Sequence, residues 1–174
     1  MDHYAKVFGI LPDMKSILPS SQAKKLALHL QTHAKTTVVV GGCFDILHLG
    51  HVTFLEKAKQ KGDCLIVLLE SDQAIKKRKG EHRPIRNQAQ RARMLSSLRM
   101  VDYVILLPQE VDNDFYDQLM KDLRPKIIAT TKGDSGIHHK KRQAKAIGAK
   151  VLSVVSQLPD HSTTRIEELL SHEL

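Results

Sequence analysis

Two histidines three residues apart, His48 and His51, close the stretch GGCFDILHLGH (residues 41–51). Imidazoles at this spacing suit one of three tasks: holding a metal, packing at a strand end, or handling a phosphate. A metal would need further ligands and a supporting shell. His138 and His139 are adjacent in sequence, so on a helix they point apart and chelate poorly. The phosphate reading draws on the glycines. Gly41 and Gly42 let the backbone turn tightly and approach a ligand, and Gly50 sits at the mouth of a helix beginning near His51. A helix N-terminus offers free N–H groups and partial positive charge. Two imidazoles there could stabilise charge developing on phosphate oxygens. Asp45 has a structural role open to it, accepting from backbone N–H groups of the turn.

Three other segments carry residues suited to the same chemistry. IKKRKGEHR (75–83) gathers Lys76, Lys77, Arg78, Lys79 and Arg83 around Gly80. It is either a solvated charged loop or a mobile lid that closes on phosphates. HSTTR (161–165) offers Ser162 or Thr163 as helix N-caps. TTKGDSG (130–136) brings Gly133 and Asp134 to the end of an apolar run.

The elements that must position these segments alternate from residue 36 onward. Strands are predicted at 36–42, 64–71, 101–107, 126–130 and 149–155, helices at 51–62, 87–99, 113–123, 138–148 and 162–173. Asn87 with Gln90 three residues on gives a capping-box-like start to the second of these helices. Such alternation predicts an α/β fold: a doubly wound parallel sheet of about five strands with helices on both faces. Ligands of these sheets bind beyond the carboxyl ends of the strands, where the strand order reverses. All four chemistry-bearing segments follow strand ends and fall on that rim. Residues 20–35 read as an amphipathic helix and 1–19 as a loosely packed arm, so 1–35 precede a phosphate-handling segment at 36–174 within one domain overall.

Bulk composition narrows the partners. The formal net charge is +8, which suits either nucleic acid or small phosphorylated ligands. Aromatics are only 4% and no base-stacking motif is present, which disfavours a nucleic-acid-binding module. The N-terminus lacks the basic stretch and apolar core of a signal peptide, and Cys43 and Cys64 lie in or beside apolar strands. A cytoplasmic protein with reduced thiols is expected.

The pattern G-x-F-D-x-x-H-x-G-H is complete from Gly42 to His51 and resembles the signature of cytidylyltransferase-like nucleotidyltransferases. The resemblance runs on through KKRKGEHRPI, QRARMLSSLRMVDYVI and HSTTRI, covering about residues 20 to 170. KG-x-x-RPI and QR look most like bacterial heptose 1-phosphate adenylyltransferases. Arg99 followed by MVDYVI resembles glycerol-3-phosphate and choline-phosphate cytidylyltransferases, and archaeal FAD synthetases share the framework. Gly41, where the heptose enzymes usually carry Asn, and TKGDSG, in place of their Gly-Gly-Asp-Tyr segment, depart from the pattern. Class I aminoacyl-tRNA synthetases also carry His-x-Gly-His, but STTR stands here in place of their lysine-rich signature.

The resemblance implies a Rossmann-like fold and a dimer. It also implies AMP or CMP transfer from ATP or CTP to a phosphorylated small molecule, with Mg2+ entering on the triphosphate. His48, His51 and one lysine, Lys77 or Lys79, would be catalytic, with Lys77 the assigned one. Gly42, Cys43, Phe44, Asp45, Gly50, Arg91, Gly133, Asp134, Ser162, Thr163 and Thr164 would bind the nucleotide. Lys79, Arg83 and Arg99 would grip the acceptor phosphate.

Overall fold

In a computed structural model, which describes residues 16–156, the strands are β1 (Ser16–Pro19), β2 (Thr37–Gly42), β3 (Cys64–Leu69), β4 (Tyr103–Leu106), β5 (Ile127–Thr131) and β6 (Lys150–Val155). The helices are α1 (Ala23–Thr32), α2 (Leu49–Lys59), α3 (Asp72–Lys79), α4 (Gln88–Ser96), α5 (Asn113–Leu123) and α6 (Ile137–Ile147). All strand pairs are parallel, in the order β1-β4-β3-β2-β5-β6. The chain steps from β2 through β3 to β4 in one direction, then returns to place β5 on the other side of β2. The order therefore reverses between β2 and β5, which makes their carboxyl ends the expected ligand position.

CLIVLL of β3 is buried at every position, as a central strand covered on both faces must be. Leu65, Val67 and Leu69 face Leu55, Ala58, Ala92 and Leu95 of α2 and α4. Ile66 and Leu68 join Leu26, Leu30, Leu119 and Leu123 of α1 and α5 on the opposite face. This period-2 partition makes two cores from one sheet.

Two sequence expectations change. The sheet has six strands because SILP of β1 pairs with β4 at the sheet edge, a place that tolerates Pro19. The predicted lid loop at 75–83 is largely helical. Ser71 caps α3 by accepting from Ala74 N (3.2 Å), Ile75 is buried, and four cations occupy the last turn, where they complement the helix dipole. Among the described residues, no helix is long and apolar enough to cross a membrane.

Candidate active site

The loop after β2 is shaped by Gly42 and Phe44. Phe44 is buried in the left-handed region (φ 45°), a conformation that costs a non-glycine residue about 1 kcal/mol or more. Its ring lies so close to Gly42 that a Cβ there would stand 2.9 Å from it. The Phe44 and His51 ring centroids are 5.1 Å apart, and His51 stacks on His48 at 3.8 Å with 29° between the rings. His48 is the N-cap of α2 in extended conformation, with no side-chain capping bond, while its carbonyl accepts from His51 N (2.9 Å). The pair thus stands over the positive end of α2 at the switch point.

Burial, helped by the nearby His48 and Lys79, brings the His51 pKa down to about 4, against an opposing hydrogen bond that the ring donates to the Ile46 carbonyl. At neutral pH His51 is a neutral donor.

Lys79, at the end of α3, returns to the same loop, its Nζ 3.5 Å from Cys43 Sγ. Lys77 is exposed on α3, with no partner among the described residues. Geometry thus brings Lys79, rather than the assigned Lys77, to the histidine pair. Arg78 forms a two-pronged pair with Glu70 at 2.6 and 3.1 Å, holding α3 to the end of β3.

Two fully buried charges support this rim. Asp45 accepts from Ile85 N (2.9 Å) and Arg86 N (3.1 Å) and pairs with Arg83 Nε at 2.7 Å, so it does stitch backbone, though on a distant segment and not within its own turn. Arg83, expected to grip a phosphate, is itself buried in that pair. Arg91, expected among the phosphates, is turned inward with no exposure. Its guanidinium bonds the carbonyls of Cys43, Glu70 and Arg86 and the Asp72 carboxylate.

Gly133 (φ 82°) and Asp134 follow β5 on the same rim. Asp134 accepts from Gly136 N (2.7 Å), Thr130 Oγ1 and Lys140 Nζ. Burial raises its pKa, but the hydrogen bonds from Lys140 and Thr130 outweigh that and hold the carboxylate below its ordinary value. Arg99 is not brought to the site. It precedes β4, so it lies at the amino end of the sheet, 90% exposed and 3.8 Å from Glu56. Ser162, Thr163 and Thr164 lie outside the described residues.

Glu70 and Gln88 join the rim without a sequence expectation, and Asp72, within the rim segment that follows β3, takes a role the sequence does not assign it. Gln88 donates to the carbonyls of Leu69 (3.1 Å) and Leu107 (2.9 Å), tying the ends of β3 and β4 together. The available signal was two acids, in ESD, directly between an apolar run and a basic one. A cleft of about 510 Å3 lined by Lys35, Lys121, Arg124 and Lys126 opens at the opposite end of the sheet. Its cations lie in the last turn of α5 or just past the ends of α1 and α5, where they offset partial negative charge, and the cleft is remote from the histidine pair.

The comparisons agree with this geometry. The model of the cytidylyltransferase-like family matches residues 39–169. The chain is 35% identical over 168 residues to the bifunctional protein HldE of a Nitratiruptor species, covering 97% of this chain and 35% of the relative. Against HldE of Gluconobacter oxydans it is 32% identical over 162 residues, covering 90% and 32%. The chain thus spans about a third of the length of these relatives, and only 22% of the HldE of Aliarcobacter butzleri, to which it is 45% identical over 107 residues.

Among solved structures, the lipopolysaccharide core biosynthesis protein of Thermoplasma volcanium aligns with a TM-score of 0.57 and 28% identity, covering 71% of this chain and 99% of that one. Pantoate-beta-alanine ligase of Francisella tularensis, at TM-score 0.63 and 15% identity over 88% and 73%, shares the fold. The signature from Gly42 to His51, placed at the switch point of a six-stranded parallel sheet and spanned by that family model, shows that the chain belongs to the cytidylyltransferase-like family and is a nucleotidyltransferase domain.

Proposed function

We propose that the domain transfers AMP from ATP to a sugar 1-phosphate of the heptose type, releasing pyrophosphate. The observation that carries this is the stacked His48–His51 pair over the uncapped N-terminus of α2, with Lys79 returning to the same loop. An oxygen of the acceptor phosphate attacks the α-phosphorus, and the bond from that phosphorus to the bridging oxygen breaks. Pyrophosphate takes the electron pair. No covalent enzyme intermediate is needed, so positioning and charge neutralisation dominate. His48, His51 and the α2 amides hold the triphosphate, and Lys79 adds a full positive charge as negative charge shifts to the leaving group. Among the described residues no group of three His, Cys, Asp or Glu could hold a metal. Mg2+ is assigned to the nucleotide substrate, entering with its phosphates. Support for the sugar acceptor comes from KG-x-x-RPI and QR, from the HldE relatives, and from a neighbour described as a lipopolysaccharide core biosynthesis protein.

The test is pyrophosphate release with each of the four nucleoside triphosphates against heptose 1-phosphate, glycerol 3-phosphate and FMN. Turnover is expected with ATP and the heptose phosphate. Preference for CTP with glycerol 3-phosphate, or for ATP with FMN, would replace the acceptor assignment, and silence with all pairs would overturn the reaction.

A second expected result separates the lysines. Lys79→Ala should lower kcat/KM by about 10²-fold, whereas Lys77→Ala, lacking a contact with the loop, should change it by less than about threefold. The reverse order would return catalysis to Lys77.

A further inference from the structure

We infer that Arg91 is a positioning residue: from α4 it fixes the histidine loop and the basic helix α3 at one relative placement. The inference rests on reading this rim as a phosphoryl-transfer site, and it deepens that reading. Arg91 is fully buried, and its partners come from separate stretches of chain. Nε donates to Arg86 O (3.0 Å), Nη1 to Cys43 O (2.5 Å), and Nη2 to Glu70 O (2.8 Å) and Asp72 Oδ1 (2.7 Å).

Two of those contacts close a ring. Cys43 immediately precedes Phe44, whose left-handed backbone places its ring against His51. Asp72 opens α3, and Lys79 closes it with Nζ back at Cys43 Sγ. The path from the Cys43 carbonyl through Arg91 and Asp72 along α3 to Lys79 thus returns to Cys43. This ring sets how far the Lys79 ammonium stands from the histidines. A planar fork of five donors can hold these partners together, and the single nitrogen of lysine cannot.

Gln88 supplies an internal control. It lies one turn earlier on α4 and ties β3 to β4 through two carbonyls, with no bond to Cys43 or to α3. Its loss should weaken the fold without disturbing the ring.

The experiment compares Arg91→Lys with Gln88→Ala in the full chain. It measures the rate at which ligand-free Cys43 reacts with Ellman's reagent, the titration of the His51 imidazole by NMR, and kcat and KM. For Arg91→Lys the Cys43 rate should rise roughly tenfold as the loop opens. The His51 midpoint should climb from about 4 toward 6.5 as water reaches it, and kcat should fall about 100-fold from misplacement. Gln88→Ala should lower the melting temperature and leave the Cys43 rate and His51 titration as in the parent. Unchanged Cys43 and His51 in Arg91→Lys, or equal changes in both variants, would overturn the inference. Should Arg91→Lys not fold, Asp72→Asn takes its place with the same readouts, and an unchanged Cys43 rate in it is equally fatal. If Cys43 and His51 respond as stated but the parent transfers no nucleotide, the proposed reaction fails and the positioning role stands.

Discussion

Replacing either His48 or His51 by alanine is expected to lower kcat by about 10²–10³-fold, the size of effect seen when one preorganised donor is lost at a developing charge. Both rings are only half-buried, and neither belongs to the clusters that fill the two faces of the sheet. The loss of stacking costs about 1 kcal/mol. Melting should shift by only a few degrees, about 4 °C or less for a chain of this size. The reason for the asymmetry is geometric. The rings are held by α2 and by the Phe44 ring, so they arrive preorganised at the switch point, whereas the fold beneath them depends on β2, β3 and their covering helices. Turnover equal to the parent in both variants would remove the pair from the reaction. A collapse of the melting temperature would make them core residues instead.

His51 adds a pH signature to that result. Its midpoint in the folded chain is about 4 against an ordinary 6.5, chiefly because burial disfavours the charged ring. Above pH 6.5 neither state binds the proton, and the group contributes no pH dependence. Between pH 6.5 and 4 the unfolded chain takes up a proton that the folded chain refuses. Folding stability therefore falls as pH falls through that window, by up to about 3 kcal/mol, and levels off below it. His51→Ala should lack this part of the fall, which urea unfolding at a series of pH values would reveal as a narrowing gap between variant and parent. A bound triphosphate brings negative charge to the ring and raises its midpoint above 4, so nucleotide affinity should strengthen as pH falls toward that raised midpoint.

Much of the fold, and with it the rim that carries the candidate site, is legible in the sequence, for reasons particular residues make plain. TTVVV and CLIVLL are long enough apolar runs to fix β2 and β3, and parallel topology then forces every segment after a strand onto one rim. The same logic explains Arg99, which precedes a strand and so belongs at the other end of the sheet. What stayed hidden depends on tertiary pairing. β1 has four residues and a proline, too little for a periodic signal, and it is a strand only because the edge of β4 accepts it. α3 buries only Ile75, so its helical period is silent in a run of charges. Arginine in a polar helix is ordinarily solvated. Arg91 is buried because Asp72, nineteen residues away, and three carbonyls converge on it, which no local pattern announces.

The largest stability effect should come from Asp45→Ala, expected to cost about 3–5 kcal/mol. Its carboxylate has no exposure and serves three partners at once: the Arg83 guanidinium, on a side chain only 8% exposed, and the N–H groups of Ile85 and Arg86. Truncation removes the counter-charge of a buried cation and leaves two N–H groups without their acceptor, each a penalty the fold cannot relieve with water. Arg83→Ala should cost less, because the carboxylate keeps both N–H donors. The double variant should fall short of the sum of the singles by about 1 kcal/mol or more, the mark of two groups in direct contact. Urea unfolding measures all three, with the midpoint falling and the denaturant slope unchanged. The exposed Arg99–Glu56 pair, at 3.8 Å, is the contrast, worth about 1 kcal/mol at most. A cost for Asp45→Ala as small as that would mean the 83–86 segment is held by something other than this carboxylate. A large cost, accompanied by lost turnover, would show that the Asp of the signature serves catalysis from beneath. It holds the strand-end loop to the segment whose Arg86 carbonyl Arg91 grips, and it need not meet the nucleotide.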